Sequence, residues 1–398
     1  MKMDIDRSVI KTLLSTLSDE TKQAVEKTIA AIVAAKSKKG KVVVVTGSGP
    51  NVHEGVTTLI AELMHKDIID GVTTSSAVIG HEMAGVLEEV KRVDGKKLGF
   101  TSDILPRGDT FEVTLMPEAN LQEMATEMVI DKDLIARAMK MDGTVIIKAA
   151  GNMGYPLGLW TEKLAKEILY FSRSKSLPFE TIAGAGADPR TMIGAGYQCG
   201  KPVLVTVPQL VGSGMVGIAI GDSISIMERS ARIAGMLQEA DVIIESAVVL
   251  TQEIHDGPFE IHTGHGIWSH WEGYPTYSLE GKTLIRIDLD PVLKQAWDFE
   301  RQSSEVQKAI DSGGPKTKLM GIPFRMEMSG FTRLENSIPI IADIGVVWPI
   351  IAYRLEQELN FTLDFISYPQ QTPEGQEMRE WIVRNIRPID RKKLCASL

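Results

Sequence analysis

The sequence predicts an α/β protein built on a doubly wound, mostly parallel sheet, and three observations carry that reading. Short runs that are β-branched or apolar throughout recur along the chain. Most are followed by a segment of roughly ten to fifteen residues with helical spacing, the pattern of parallel strands covered on both faces by crossover helices. Several of the runs end in glycine-rich or acidic turns, which is where an open parallel sheet presents its ligand sites.

The elements follow in order. Residues 7–36 carry Val9, Leu13, Leu14 and Leu17, then Val25, Ile29, Ile32 and Val33, at helical spacing without proline, and Ser18-Asp19-Glu20 offers a cap between the halves, so an N-terminal helical pair is expected. "KVVVVT" 41–46 reads as a strand, 55–66 as a helix, 68–74 as a strand and "HEMAGVLEEVKR" 81–92 as a helix. Further strands are expected at 143–149, 180–185, 201–207, 240–250, 282–289 and 338–345. No Pro/Gly/Ser-rich linker, fixed-period repeat or low-complexity tract divides the chain. The expected organisation is a helical extension at 1–40, one nucleotide-binding and catalytic body at 41–360, and a helical tail at 361–398.

Composition narrows the function classes. The 398 residues are 43% hydrophobic, enough for a large core. Lys and Arg total 43 against 52 Asp and Glu, and a net charge of −9 leaves no electrostatic footprint for nucleic acid or an anionic membrane. Two cysteines, Cys199 and Cys395, are too few for a disulfide framework and fit a reducing compartment. Without a basic-then-apolar leader or an apolar run of spanning length, the expected location is the cytoplasm.

"TGSGPNVHEG" 46–55 follows the first strand directly. Gly47 and Gly49 would let the backbone approach a phosphate, and Ser48 and Asn51 would donate to it; a glycine-rich turn without a ligand is the alternative. The stretch is not the six-residue dinucleotide fingerprint, because Asn51 and Val52 fill the place of its last glycine. "PQLVGSGMVGIAIGDS" 208–223, with Gly212, Ser213 and Gly214, forms a second strand-to-glycine-to-helix junction. Asp288 and Asp290 close "LIRIDLDP", where an acid can accept from ribose hydroxyls or mark an ordinary turn. Asp343, in "IIADIGVVWPII", can cap the helix that follows or contact a ligand.

The stretch from 251 to 281 has no clear period, yet holds four of the seven histidines (His255, His262, His265, His270) and two of the six tryptophans, a composition that suits a lid at 255–277. Its His spacing matches no strong zinc signature, so no metal is expected, while His265 is a candidate for proton transfer, with structural histidines in an aromatic loop as the simpler reading. "SSAVIGHEMAG" 75–85 places His81 and Glu82 at the start of a helix, where Glu82 complements the helix dipole or the pair faces the cleft. Lys148 ends the strand "TVIIK", and a solvated strand end is its simplest explanation.

These junctions, taken in order, resemble the superfamily of deoxyhypusine synthase and the archaeal and bacterial NAD-dependent ornithine cyclodeaminases. "VHEG" and "SSAVIGHE" are closer to the cyclodeaminases, as are "GYQCGKPVLVTVPQ" and "LQEADVIIESAVVL"; "LGFTSDILPRGDTFEVTLMPE" 98–118 and "IADIGVVWPII" look like deoxyhypusine synthase. The resemblance implies a Rossmann-like fold binding NAD, usually in a homotetramer, and temporary oxidation of a carbon–nitrogen bond. It places Ser48, Asn51, Ser75, Asp288, Asp343 and Ile344 near the cofactor and His81 and Glu82 beside the substrate. One departure concerns the lysine that holds butylamine as an imine in deoxyhypusine synthase. The corresponding stretch here, "MEMSGFTRLENSIPII", has Arg333, which cannot form that imine, leaving Lys316 or Lys318 as substitutes.

The function expected from these readings is NAD-dependent, transient oxidation of a small amine or amino acid by a homo-oligomer. The alternatives are deoxyhypusine synthase itself and a non-catalytic nucleotide-binding subunit.

Overall fold

A computed structural model describes residues 2–151, 153–206, 214–247, 278–288, 302–313 and 337–397, with scattered positions between 291 and 299. The chain opens with α1 (Arg7–Thr16) and α2 (Asp19–Ser37), whose N-caps Asp6 and Ser18 accept from the backbone N–H of Ser8 and Thr21. These are the expected helical pair.

The first βα units are β1 (Lys41–Thr46), α3 (Ser48–His53), α4 (Val56–His65), β2 (Gly71–Thr74) and α5 (Ser76–Met83). Then come β3 (Leu87–Asp94), β4 (Thr110–Thr114), α6 (Glu118–Glu127), α7 (Lys132–Lys140), β5 (Thr144–Ala149) and β6 (Gly154–Tyr155). Helices α8 (Leu157–Lys175), α9 (Phe179–Gly186) and α10 (Met192–Cys199) lead to β7 (Val203–Val205), α11 (Gly214–Ser223), α12 (Ile226–Glu239) and β8 (Ala240–Ser246). The remaining described elements are β9 (Thr283–Asp288), α13 (Ser304–Asp311), β10 (Ser337–Ile341), α14 (Ile344–Glu358), α15 (Pro373–Asn385) and α16 (Arg391–Ala396).

Six strands form one sheet in the order β10-β9-β8-β1-β2-β7, every neighbouring pair parallel. Both faces are covered. Val42 and Val44 point with Val242, Ile244, Ile285 and Ile287 into the larger core, beneath α2, α4 and α14. Val43 and Val45 point with Ile243 and Leu284 against Ala234, Met236 and Leu237 around α12. The four β1 valines are at most 1% exposed, each burial contributing roughly 1.5–3 kcal/mol, which is why the run reads as continuously apolar.

A second sheet, β5-β3-β4-β6, is inserted between β2 and β7. It pairs β3 antiparallel with β4 and β5, so the strand expected at 143–149 exists but belongs to this sheet. Two further readings are corrected. Residues 81–92 are not one helix: α5 stops at Met83, Gly85 and Val86 turn at φ 99° and 71°, and β3 begins at Leu87. Met83, Val86, Leu87 and Val90 stand at helical spacing, but Leu87 and Val90, three apart on a strand, are buried on its opposite faces. Residues 180–185 are helical, not extended. Their small side chains serve close helix packing: a Cβ added at Gly184 would lie 3.0 Å from the Tyr197 Cβ, and one at Gly186 would lie 2.9 Å from the Leu394 Cβ.

Candidate functional site at the switch point and the sheet seam

The chain runs from β1 outward through β2 to β7, then returns to the other side of β1 and runs outward through β8, β9 and β10. The order therefore reverses between β1 and β8, and the crevice outside their carboxyl ends is where open α/β sheets take ligands.

Three buried side chains make the floor of that crevice. Asn51 Nδ2 donates to the Gly47 carbonyl at 2.7 Å and to the Ser246 carbonyl at 3.2 Å. Ser246 Oγ donates to Asn51 Oδ1 at 2.6 Å and accepts from Trp348 Nε1 at 2.8 Å. Both amide hydrogens of Asn51 are thus spent on the backbone, and its role is to tie the end of β1 to the end of β8. Sequence spacing brought it to the crevice, but its engagement with Ser246, 195 residues away, was invisible there.

The other expected cofactor residues that are described stand at strand ends or helix starts. Gly47 is extended (φ −174°) and precedes α3, of which Ser48 and Gly49 are the first two residues. Ser75 caps α5, accepting from Val78 N at 3.4 Å, and Asp343 caps α14, accepting from Gly345 N at 2.8 Å; Ile344 begins α14 and is buried. Gly214 begins α11 at φ 53°, and Asp288 is the last residue of β9. Gly212, Ser213, His265 and Lys318 lie outside the described residues, as do the expected lid 255–277, Lys316, Asp290 and Arg333.

The donor set fits a phosphate- and ribose-bearing cofactor. Thr46 Oγ1 and Thr74 Oγ1 are buried at the carboxyl ends of neighbouring β1 and β2, with no hydrogen-bond partner among the described residues. The N–H groups of Ser48 and Gly49 have no acceptor within α3, as at any helix start, and Pro50 has none to offer. A Cβ added at Gly49 would meet only His53 Cδ2, at 3.7 Å, so a ligand can approach this backbone. Among the described residues no three His, Cys, Asp or Glu side chains group as metal ligands would.

One short helix away, the two sheets meet. The six residues of α3 span about 9 Å from the turn after β1 to His53. There His53, His81 from α5 and Lys148 from β5 influence one another electrostatically. His81 Nδ1 lies 2.5 Å from the Ala150 carbonyl. A carbonyl only accepts, so Nδ1 carries the proton and Nε2 is the free acceptor of a neutral ring. Burial, with Lys148 adding to it, holds His81 below the ordinary imidazole range. His53 is lowered by burial, then by Arg379, His81 and Lys148.

Glu82 does not share the cleft with its neighbour. The pair stands at the end of α5, not its start, and Glu82 is fully buried, accepting from Met192 N at 2.7 Å and Ile193 N at 3.0 Å. It holds the first turn of α10, and its burial pushes the carboxyl up to about 7.

The inserted sheet supplies groups that sequence reasoning missed. Strand alternation puts Glu88, Lys148, Glu112 and Thr114 on one face. Lys148 Nζ donates to Glu112 Oε2 at 2.5 Å, and Arg92 approaches Glu112 Oε1 at 3.3 Å. Glu88 accepts from Thr114 Oγ1 at 2.7 Å and Gly151 N at 3.1 Å, and burial pushes its carboxyl up to about 7. Lys148 is therefore no solvated strand end. Reading "VLEEVKRVD" with period two instead of 3.6 would have aligned Glu88 with this face.

No protein-family model matches the chain, and no curated sequence matches it. Among solved structures, it is similar to AgrE crystallised with ornithine and NAD+ (11% identity, TM-score 0.41, covering 86% of this chain and 34% of that one). It is also similar to ArgZ, an arginine dihydrolase from the ornithine–ammonia cycle in cyanobacteria (10% identity, TM-score 0.39, 86% and 32%). A third is a putative deoxyhypusine synthase from Entamoeba histolytica (11% identity, TM-score 0.41, 92% and 100%). The chain spans about a third of the length of ArgZ and AgrE.

Proposed function

We propose that the protein is an NAD-dependent enzyme that transiently oxidises the carbon–nitrogen bond of a small amine or amino acid. The observation that carries this reading is the adjacency of two unlike sites. A crevice at the reversal of strand order, edged by a glycine turn and unpartnered threonine hydroxyls, lies one six-residue helix from a cluster containing a neutral, acceptor-ready histidine.

NAD would lie with its diphosphate at the Gly47–Gly49 turn and a ribose near Asp288, and it supplies the acceptor and the donor of a hydride. The chain's own groups manage the proton. A substrate ammonium must lose a proton before its carbon can lose hydride, and His81 Nε2 would take it. Burial, reinforced by Lys148 anchored on Glu112, disfavours a charged His81 and favours an unprotonated base before substrate arrives. Glu82 and Asn51 position these elements without touching the reacting atoms.

The test is isotopic. Ornithine deuterated at the carbon bearing the reacting amine is incubated with the protein and NAD+, and the product is examined by mass spectrometry beside a stopped-flow record of nicotinamide absorbance. A transient reduced nicotinamide with deuterium returned to product is expected. An unchanged nicotinamide with ornithine and with the polyamines putrescine and spermidine would sink the reading.

A further inference from the structure

A groove of about 670 Å³ runs between β5 and α15, within the ordinary size range of small-molecule sites. Its apolar wall is Val145, Ile147 and Val383, and Glu89 and Arg379 face it as well. Glu89 follows Glu88 on β3 and so points to the opposite face of the inserted sheet from the Lys148 cluster. The groove thus opens on the other face of the inserted sheet from that cluster, and Arg379, at the sheet's edge, also acts on His53.

Two opposite charges flank one apolar residue in it. Glu89 is directly opposite Ile147 in the β3–β5 register, and its carboxylate has no hydrogen bond or ion pair among the described residues. On the outer edge of β5, Arg379 donates from Nη2 to the Ile147 carbonyl, while its Nε is buried without a partner. Arg379 has no carboxylate within ion-pair distance among the described residues, and burial lowers its guanidinium from the ordinary value. The groove's other charged residues, Arg384 and Glu380, pair with each other. Glu54 acts on Arg379 only at longer range than an ion pair, so the half-buried cation is incompletely compensated and the half-buried anion has no partner among the described residues, and the surface between them is aliphatic.

We propose that this groove binds a small zwitterion: an amino acid with its carboxylate on Arg379, its ammonium on Glu89 and its carbon chain over Ile147 and Val383. The match is one of charge sign and order. A monocarboxylate leaves Glu89 unpaired, an amine leaves Arg379 unpaired, and a dianion meets Glu89 as a like charge. The assignment is independent of whether the chain binds a dinucleotide.

The test is calorimetric titration of the full chain with the ω-amino acids from glycine to 6-aminohexanoate, with pentanoate and pentylamine as singly charged controls. At least one amino acid is expected to bind tenfold or more tightly than either control. Glu89→Gln should abolish its advantage over pentanoate, and Arg379→Lys should weaken it severalfold, with melting temperatures confirming the fold of each. His81→Asn should leave binding unchanged. The proposal is overturned if no member of the series binds, if pentanoate binds as tightly as the best amino acid, if Glu89→Gln keeps the preference, or if His81→Asn removes binding, which would locate the probe in the crevice instead.

Discussion

The two sheets end differently where they meet. At the carboxyl edge of the parallel sheet, Asn51, Ser246 and Trp348 satisfy one another and the backbone and are at most 1% exposed. At the seam with the inserted sheet, the Lys148–Glu112 ion pair meets His53 and His81, whose proton affinities are lowered, and Glu88, whose proton affinity is raised. The first arrangement is neutral and fixes geometry. The second stores electrostatic tension, which is what proton transfer near neutral pH requires. The difference teaches that rigid neutral packing and perturbed titratable charge come from separate parts of the fold, and it can be broken from either side.

The largest effect is expected on the scaffold side. Arg229 and Glu180 form a fully buried ion pair in which Arg229 also donates to the Val205 and Ile220 carbonyls. Arg229→Met leaves Glu180 buried without its cation and should cost about 3–5 kcal/mol by denaturant titration. Adding Glu180→Leu should recover much of that loss. A double variant as unstable as the single would show that the pair is not coupled as described.

On the chemical side, His81→Asn should lower turnover about a hundredfold or more while changing stability little. The pH profile of the wild type should lose activity as acid protonates Nε2, because burial and Lys148 place that transition below the ordinary histidine range. A profile whose acid limb is unmoved in Lys148→Met would contradict the electrostatic role assigned to Lys148.

Stability against pH sharpens the contrast further. The Glu88 carboxyl holds its proton in the folded protein up to about 7, against 4.5 for an unperturbed side chain. The folded state therefore binds more protons than the unfolded state across that window. Stability contributed by Glu88 is full below pH 4.5 and is lost as pH rises toward 7, a change of about 3 kcal/mol. Glu88→Gln should flatten the stability curve over that range by one proton's slope, and an unchanged slope would place the titration elsewhere. The smallest effect belongs to the neutral network: Asn51→Ala, which strands Ser246 Oγ and the Gly47 carbonyl, should cost about 2 kcal/mol with no pH dependence.

Legibility followed the same division. The parallel sheet announced itself because burial on both faces makes its strands apolar throughout, and "KVVVV" and "VIIES" admit few other readings. The turns after its strands were equally plain, since glycine, proline and capping acids punctuate them. The inserted sheet was not, because Leu87, Val90 and Val93 stand three apart, as on a helix, and are buried on both faces of the strand beside charged residues that tertiary contacts cover. The partners of Glu82, Asn51 and Lys148 lie 110, 195 and 36 residues away, so their roles were set by tertiary contacts that no local pattern encodes.

The most direct test of the central claim is NAD+ binding by the wild type and by Gly49→Glu. That position has room for a side chain, so the variant should melt where the wild type does, yet it sets a carboxylate at the turn assigned to the diphosphate. Calorimetry should show NAD+ binding by the wild type and at least a tenfold weakening in the variant. Equal binding by both proteins, or none by the wild type, would contradict the assignment of the β1 turn as a dinucleotide site.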